Sequence, residues 1–197
     1  MEAGTILITG MGLAVAAGLN AYIPLLIAGL LIRFDVVTFG QPYDLLGSTP
    51  ALVLVTVLLV IEVLADKIPA VDSANDMIQT FIRPASGAVL FAGAATGADA
   101  QWSQALALIL GLVTAAGVHT SKAAARPVVN LATAGVGAPV VSTVEDGFSA
   151  GLSVAALLAP VVVLVLVAGL VWWIVSATRR RATAPADGPA ALDDPEP

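Results

Sequence analysis

From Gly151 to Ala177 the chain runs without one charged side chain, and Arg179-Arg180-Arg181 follows almost at once. A stretch of that length exceeds the roughly 20 apolar residues that cross a hydrocarbon core. Trp172 and Trp173 near its end carry the amphipathic rings that settle at a membrane interface. The rest of the chain is of the same kind. Hydrophobic residues make up 58% and charged residues 11%, against about 25% charged in a typical soluble domain, and the mean hydropathy is +0.96. These numbers predict an all-α, polytopic transmembrane helical bundle over residues 1–178. Residues 179–197 read as a basic stop followed by a Pro/Ala/Asp-rich cytoplasmic tail, expected to be disordered. The net charge of −6 says little about partners, because Asp187, Asp193, Asp194 and Glu196 all lie in that tail. Glu2 stands where a cleavable signal would carry a basic residue, so no such signal is expected. With no cysteine, disulfides, thiolate metal sites and cysteine nucleophiles are excluded.

Two polar islands interrupt the apolar sequence. The first runs from Ala65 to Pro84 and holds Asp66, Lys67, Asp72, Asp76 and Arg83. Its spacing predicts a helix over Asp72–Arg83, capped by Asp72 or Ser73 and stopped by Pro84. On it Asp72, Asp76, Gln79 and Arg83 share one face. The second island continues the apolar run Ser103–Val118: His119, Lys122, Arg126 and Asn130 recur at intervals of three, four and four, and Pro127 is expected to end the helix. An Arg-Pro pair closes each island, 43 residues apart, which suggests an old duplication. A lone cation at a membrane boundary is costly. Arg83 is therefore expected to pair with Asp66, Asp72 or Asp76, and Arg126 with an acid distant in sequence. Packing the two faces together satisfies both, so the islands are expected to form one site.

The first crossing is expected at about Thr5–Ile32, small-faced for close helix contact, with Asn20 at membrane depth and Pro24 kinking the chain after it. Asn20 either bonds a neighbouring helix or lines a pocket. A second crossing, Ala51–Leu64, carries Glu62 near its end, as a carboxylate that reaches the headgroups or one that faces protein. Ala85–Thr96 is too short to cross alone. The total is five or six crossings, with short, broken or re-entrant segments after the islands, and Pro127–Val144 decides between them. Six crossings put seven basic residues inside against Arg33 outside, so the positive-inside bias favours six. Both termini and both islands are then cytoplasmic, and Glu145 and Asp146 lie on the opposite side. The Gly10-Met11-Gly12 run is no dinucleotide-binding turn, since no third glycine and no strand–helix alternation follow.

Several phrases together resemble the bacterial membrane family DUF4126, a domain of unknown function. They are Gly18-Leu19-Asn20-Ala21-Tyr22-Ile23-Pro24-Leu25; Ala65-Asp66-Lys67-Ile68-Pro69 through Asp72, Asp76 and Ile82-Arg83-Pro84; His119 with Lys122, Arg126 and Asn130; and Glu145-Asp146. The resemblance spans about Leu13 to Leu158, and its middle motif is the most specific. It implies a multi-pass protein of the inner (plasma) membrane and brings no activity with it. Residues 132–137 depart from it in being richer in glycine and alanine.

One histidine and no cysteine supply a metal poorly. No elbow motif presents a serine to His119, so neither a metal, a cofactor nor catalysis is expected. The acidic balance disfavours nucleic acid. The arrangement reads as a binding pathway instead: Asn20 and Glu62 within spans, Asp66, Lys67, Asp72, Asp76 and Arg83 on one island, His119, Lys122, Arg126 and Asn130 on the other, and Glu145 with Asp146 beyond. The leading expectation is a small transporter or permease for an anionic solute or lipid headgroup, homo-oligomeric because six short spans enclose little volume. The competing one is a non-catalytic scaffold that binds lipid or a partner membrane protein.

Overall fold

Neither Arg-Pro pair ends a helix. The computed structural model describes residues 3–65, 69–96, 104–133 and 137–160, with single positions 162, 165, 169, 172 and 176. In it Pro84 lies inside the helix Pro69–Thr96 (α4) and Pro127 inside Gln104–Thr133 (α5). A proline in a helix interior removes one backbone hydrogen bond at a cost of about 3 kcal/mol. Continuous packing of α4 along α5 outweighs that cost. The helix expected over Asp72–Arg83 is thus the middle of a longer one, which starts instead at Pro69, where a missing N–H is harmless.

α4 and α5 run antiparallel in one register. Gly87 faces Ala115, Arg83 faces His119, and Asp76 faces Arg126. The register is set by close backbone approach: a Cβ on Gly111 would strike the Gly87 carbonyl and come within 2.7 Å of Phe91 Cβ. Only glycine lets the two helices touch there.

The single crossing expected over Thr5–Ile32 is two helices, Ala3–Leu19 (α1) and Tyr22–Arg33 (α2). Asn20 makes the break, because its side-chain Oδ1 accepts from the Tyr22 and Ile23 amides at 3.0 and 3.1 Å and caps α2. After α2 the chain turns through Asp35 at φ 55°, and the Val36 amide donates to Leu31 O at 2.9 Å. Val36 and Val37 then border a cavity of about 260 Å³ with Thr9 of α1, Ala94 of α4 and Leu157. So α2 returns to the end of the bundle where α1 starts, and the pair is a helical hairpin whose tip stops beside the middle of α4 and α5. The broken elements expected after the islands occur here instead.

A 3-10 turn, Tyr43–Gly47, leads into Thr49–Ala65 (α3), and Gly137–Leu158 (α6) closes the described bundle. α6 runs across the boundary expected between Pro127–Val144 and Gly151–Ala177, so Glu145 and Asp146 are helical and not in a loop. α1 sits centrally, with Leu13, Ala14, Ala16 and Ala17 fully buried against α4, α5 and α6. The outer surface is apolar: Val53, Leu54, Ile61, Ile109, Val113, Val140 and Val144 are all more than half exposed. Two helices, Gln104–Thr133 and Pro139–Leu158, are long and apolar enough to cross a membrane by length and composition. The chain divides into compact units Met1–Val163 and Leu164–Pro197. The tail assigned to residues 179–197 lies outside the described residues.

Candidate functional site

The α4/α5 register makes the two islands one site. Arg83, fully buried at 0% exposure, donates from Nη2 to Glu62 Oε1 of α3 at 3.1 Å and from Nη1 to His119 Nδ1 of α5 at 3.2 Å. A guanidinium only donates, so Nδ1 must accept and the imidazole proton sits on Nε2. Nε2 then donates to Thr80 Oγ1 at 3.1 Å, and the Thr80 hydroxyl donates to the Asp76 carbonyl at 2.9 Å. This chain of donors requires a neutral His119. Protonation would set a second cation against Arg83.

One to two turns further along the same helices, Arg126 Nη1 meets Asp76 Oδ2 at 3.2 Å. Between His119 and Arg126 on α5, Lys122 Nζ lies 2.7 Å from Glu145 Oε2 of α6 and donates to Leu19 O, the last carbonyl of α1, at 3.1 Å. Next to it Asn20 Nδ2 donates to Asp146 Oδ1 at 2.9 Å. The hairpin tip is therefore complemented at both helix ends: an ammonium at the carbonyl end of α1, and an amide held by a carboxylate at the amide end of α2. Gln79 is buried within reach of the Tyr22 hydroxyl. Among the described residues Arg83 Nε and Gln79 Oε1 have no hydrogen-bond partner.

The structure thus brings together Asn20, Glu62, Asp76, Arg83, His119, Lys122, Arg126, Glu145 and Asp146. Arg126 has the long-range acid expected for it. Arg83 does not pair as expected: its carboxylate is Glu62, because Asp76 lies two turns away along α4, opposite Arg126. Glu145 and Asp146 are not on the far side from the islands, since α6 carries them into contact with Lys122 and Asn20. Glu62 is no headgroup carboxylate, being 1% exposed. Asp66 and Lys67 lie outside the described residues, as do the side chains of Asp72 and Asn130. Thr80 and the Leu19 carbonyl were missed. The hydroxyl could have been found one position beyond Gln79, but a backbone acceptor leaves no trace in a sequence until the break at Asn20 is known. Among the described residues no group of three His, Cys, Asp or Glu is placed to hold a metal ion.

These features define a helical bundle with a cluster of ion pairs, Arg83–Glu62 fully buried among them, at the tip of a helical hairpin. The chain belongs to the family described as a domain of unknown function (DUF4126), which it matches over residues 7–180. No curated protein and no solved structure matches it.

Proposed function

We propose that this chain is a small multi-pass membrane transporter that moves a small anionic solute together with a proton. The observation that carries the reading is the set of ion pairs beside the hairpin tip, Arg83–Glu62 sealed and the others partly covered, midway along the two longest helices. α5, at 30 residues, is long and apolar enough to cross a membrane and reaches about 45 Å at 1.5 Å per residue, more than the roughly 30 Å of a hydrocarbon core. Centred in a bilayer it would carry His119 near mid-depth, where ionisable groups are costly and tied to substrate or proton pathways. Broken helices with paired ends at that depth are how many transporters build a site.

The charge balance supports the coupling. Arg83, Lys122 and Arg126 each already face a carboxylate, Glu62, Glu145 and Asp76 respectively. An anion that takes over one of these cations leaves a buried carboxylate uncompensated, at a cost of several kcal/mol. Uptake of one proton by that carboxylate restores the balance. The test is uptake of radiolabelled small anions, including acetate, lactate and phosphate, into proteoliposomes with an imposed pH gradient. We expect uptake that needs the inward proton gradient and is lost in Glu62→Gln. Gradient-independent uptake, or no uptake of any anion tried by a folded, reconstituted protein, would remove the reading.

A further inference from the structure

We infer that the oxygen cluster where α1 breaks is a monovalent-cation site, and that the chain fills it with its own Lys122 ammonium. The last turn of a helix leaves backbone carbonyls without intrahelical donors, and these carry the negative end of the helix dipole. Of those at the end of α1, Ala16 O receives the Ser149 hydroxyl at 3.0 Å and the Asn20 amide at 3.0 Å. Leu19 O receives Lys122 Nζ at 3.1 Å, and Glu145 Oε2 completes the contact at 2.7 Å. The Lys122 side chain is 3% exposed and the Glu145 side chain 17%. Backbone carbonyls at interrupted helix ends are among the groups with which broken membrane helices coordinate sodium, and here a carboxylate stands beside one. Here a tethered ammonium, a point charge with three donors, stands in that place.

Two further features mark the position as built for a cation. Asp146 adds a second carboxylate at the break, held by Asn20 Nδ2, so the cluster is acidic on the α6 side. Lys122 Nζ is the donor at Leu19 O among the described residues, so removing the ammonium takes the cation from a carbonyl and a carboxylate together. Shortening Lys122 to alanine takes away the charge and leaves room for a small cation with its own water. Under the transport reading, on which this consequence alone rests, the tethered ammonium keeps sodium out of the site, so transport draws on the proton gradient and not on an external sodium gradient.

The experiment is thermal unfolding of the purified full chain in detergent, in sodium, potassium or choline chloride at equal ionic strength. The parent protein is expected to unfold at one temperature in all three. Lys122→Ala and Lys122→Gln are expected to unfold earlier in choline and to recover by about 4 °C or more in sodium or potassium, saturably, as for a ligand that binds the folded state alone. Adding Glu145→Gln to either variant should abolish the recovery. Equal unfolding of both variants in all three salts overturns the inference. So does failure to recover either variant folded in any salt, because the inference requires the cation to rescue it. Solute uptake plays no part in this measurement: recovery without any transport removes the transport reading alone, and transport without recovery removes this one alone.

Discussion

Arg83-Pro84 and Arg126-Pro127 are the same dipeptide on facing helices, yet the two arginines occupy different environments. Arg83 is sealed, with Glu62, His119 and the Gln79 face around it, and its side chain is 0% exposed. Arg126 pairs with Asp76 nearer the end of the helices, where the two side chains are 11% and 22% exposed. The antiparallel register causes the difference. It sets Arg83 level with the hairpin tip and places Arg126 two turns further along α5, beyond the tip. A sealed pair left without one partner strands a charge in a poor dielectric, while an open pair trades its partner for water. The same residue type is thus sealed from water in one layer and partly open to it in the other.

The sharpest way to break that comparison is to remove one member of the sealed pair. We predict that Arg83→Met or Glu62→Ala costs about 3 to 5 kcal/mol, the range for breaking a buried ion pair. The double variant Arg83→Met/Glu62→Leu should recover most of it, since apolar replacement of a whole buried pair is often neutral. Reversible unfolding in mixed micelles reads both. A single-variant loss below about 1 kcal/mol would show that Arg83 is not sealed.

Asn20→Ala comes next. It removes the acceptor for two buried amides and the partner of Asp146 together, so a loss of about 1 to 3 kcal/mol is expected. Asn20→Asp should keep the cap but set a second carboxylate beside Asp146, and retain part of the stability. Equal losses in both variants would mean that the cap does not hold the break.

For the open pair, Asp76→Asn and Arg126→Met should each cost about 1 kcal/mol or less, with a coupling below about 1 kcal/mol in a double-mutant cycle. A coupling as large as that of Arg83 with Glu62 would erase the contrast between the layers. The smallest effect belongs to Thr80→Val. It takes the acceptor from His119 Nε2, but the helix keeps its backbone bonds, and we predict a loss of about 0.5 to 1.5 kcal/mol. His119→Phe in the Thr80→Val background should then add less than it does alone, because the two residues share one hydrogen bond.

Much of this was legible in residue order. The apolar runs pointed to helices, which make up most of the described residues, and the intervals of three and four put the island residues on common faces. The cost of an unpaired cation required a distant acid for Arg126, and Asp76 fills that role. Periodicity is local, and a helix face follows from spacing alone. The prolines misled because their effect on a helix depends on what the helix gains by continuing, and that gain comes from α5.

What tertiary structure alone decided is which face meets which, and where the chain turns back. Glu62, not a neighbour on α4, holds Arg83, because α3 ends level with the middle of α4. Glu145 joins Lys122 because α6 runs unbroken through a stretch that reads as a boundary between two crossings. Asn20 could be seen as a polar residue in an oily run, but whether its amide would bond a neighbour or end the helix depended on α2 finding space to return beside α3 and α6. Sequence determines which groups must be paired, since the desolvation cost belongs to the residue itself. Only the packing of helices, through glycine contacts such as Gly87 with Gly111, determines the partner.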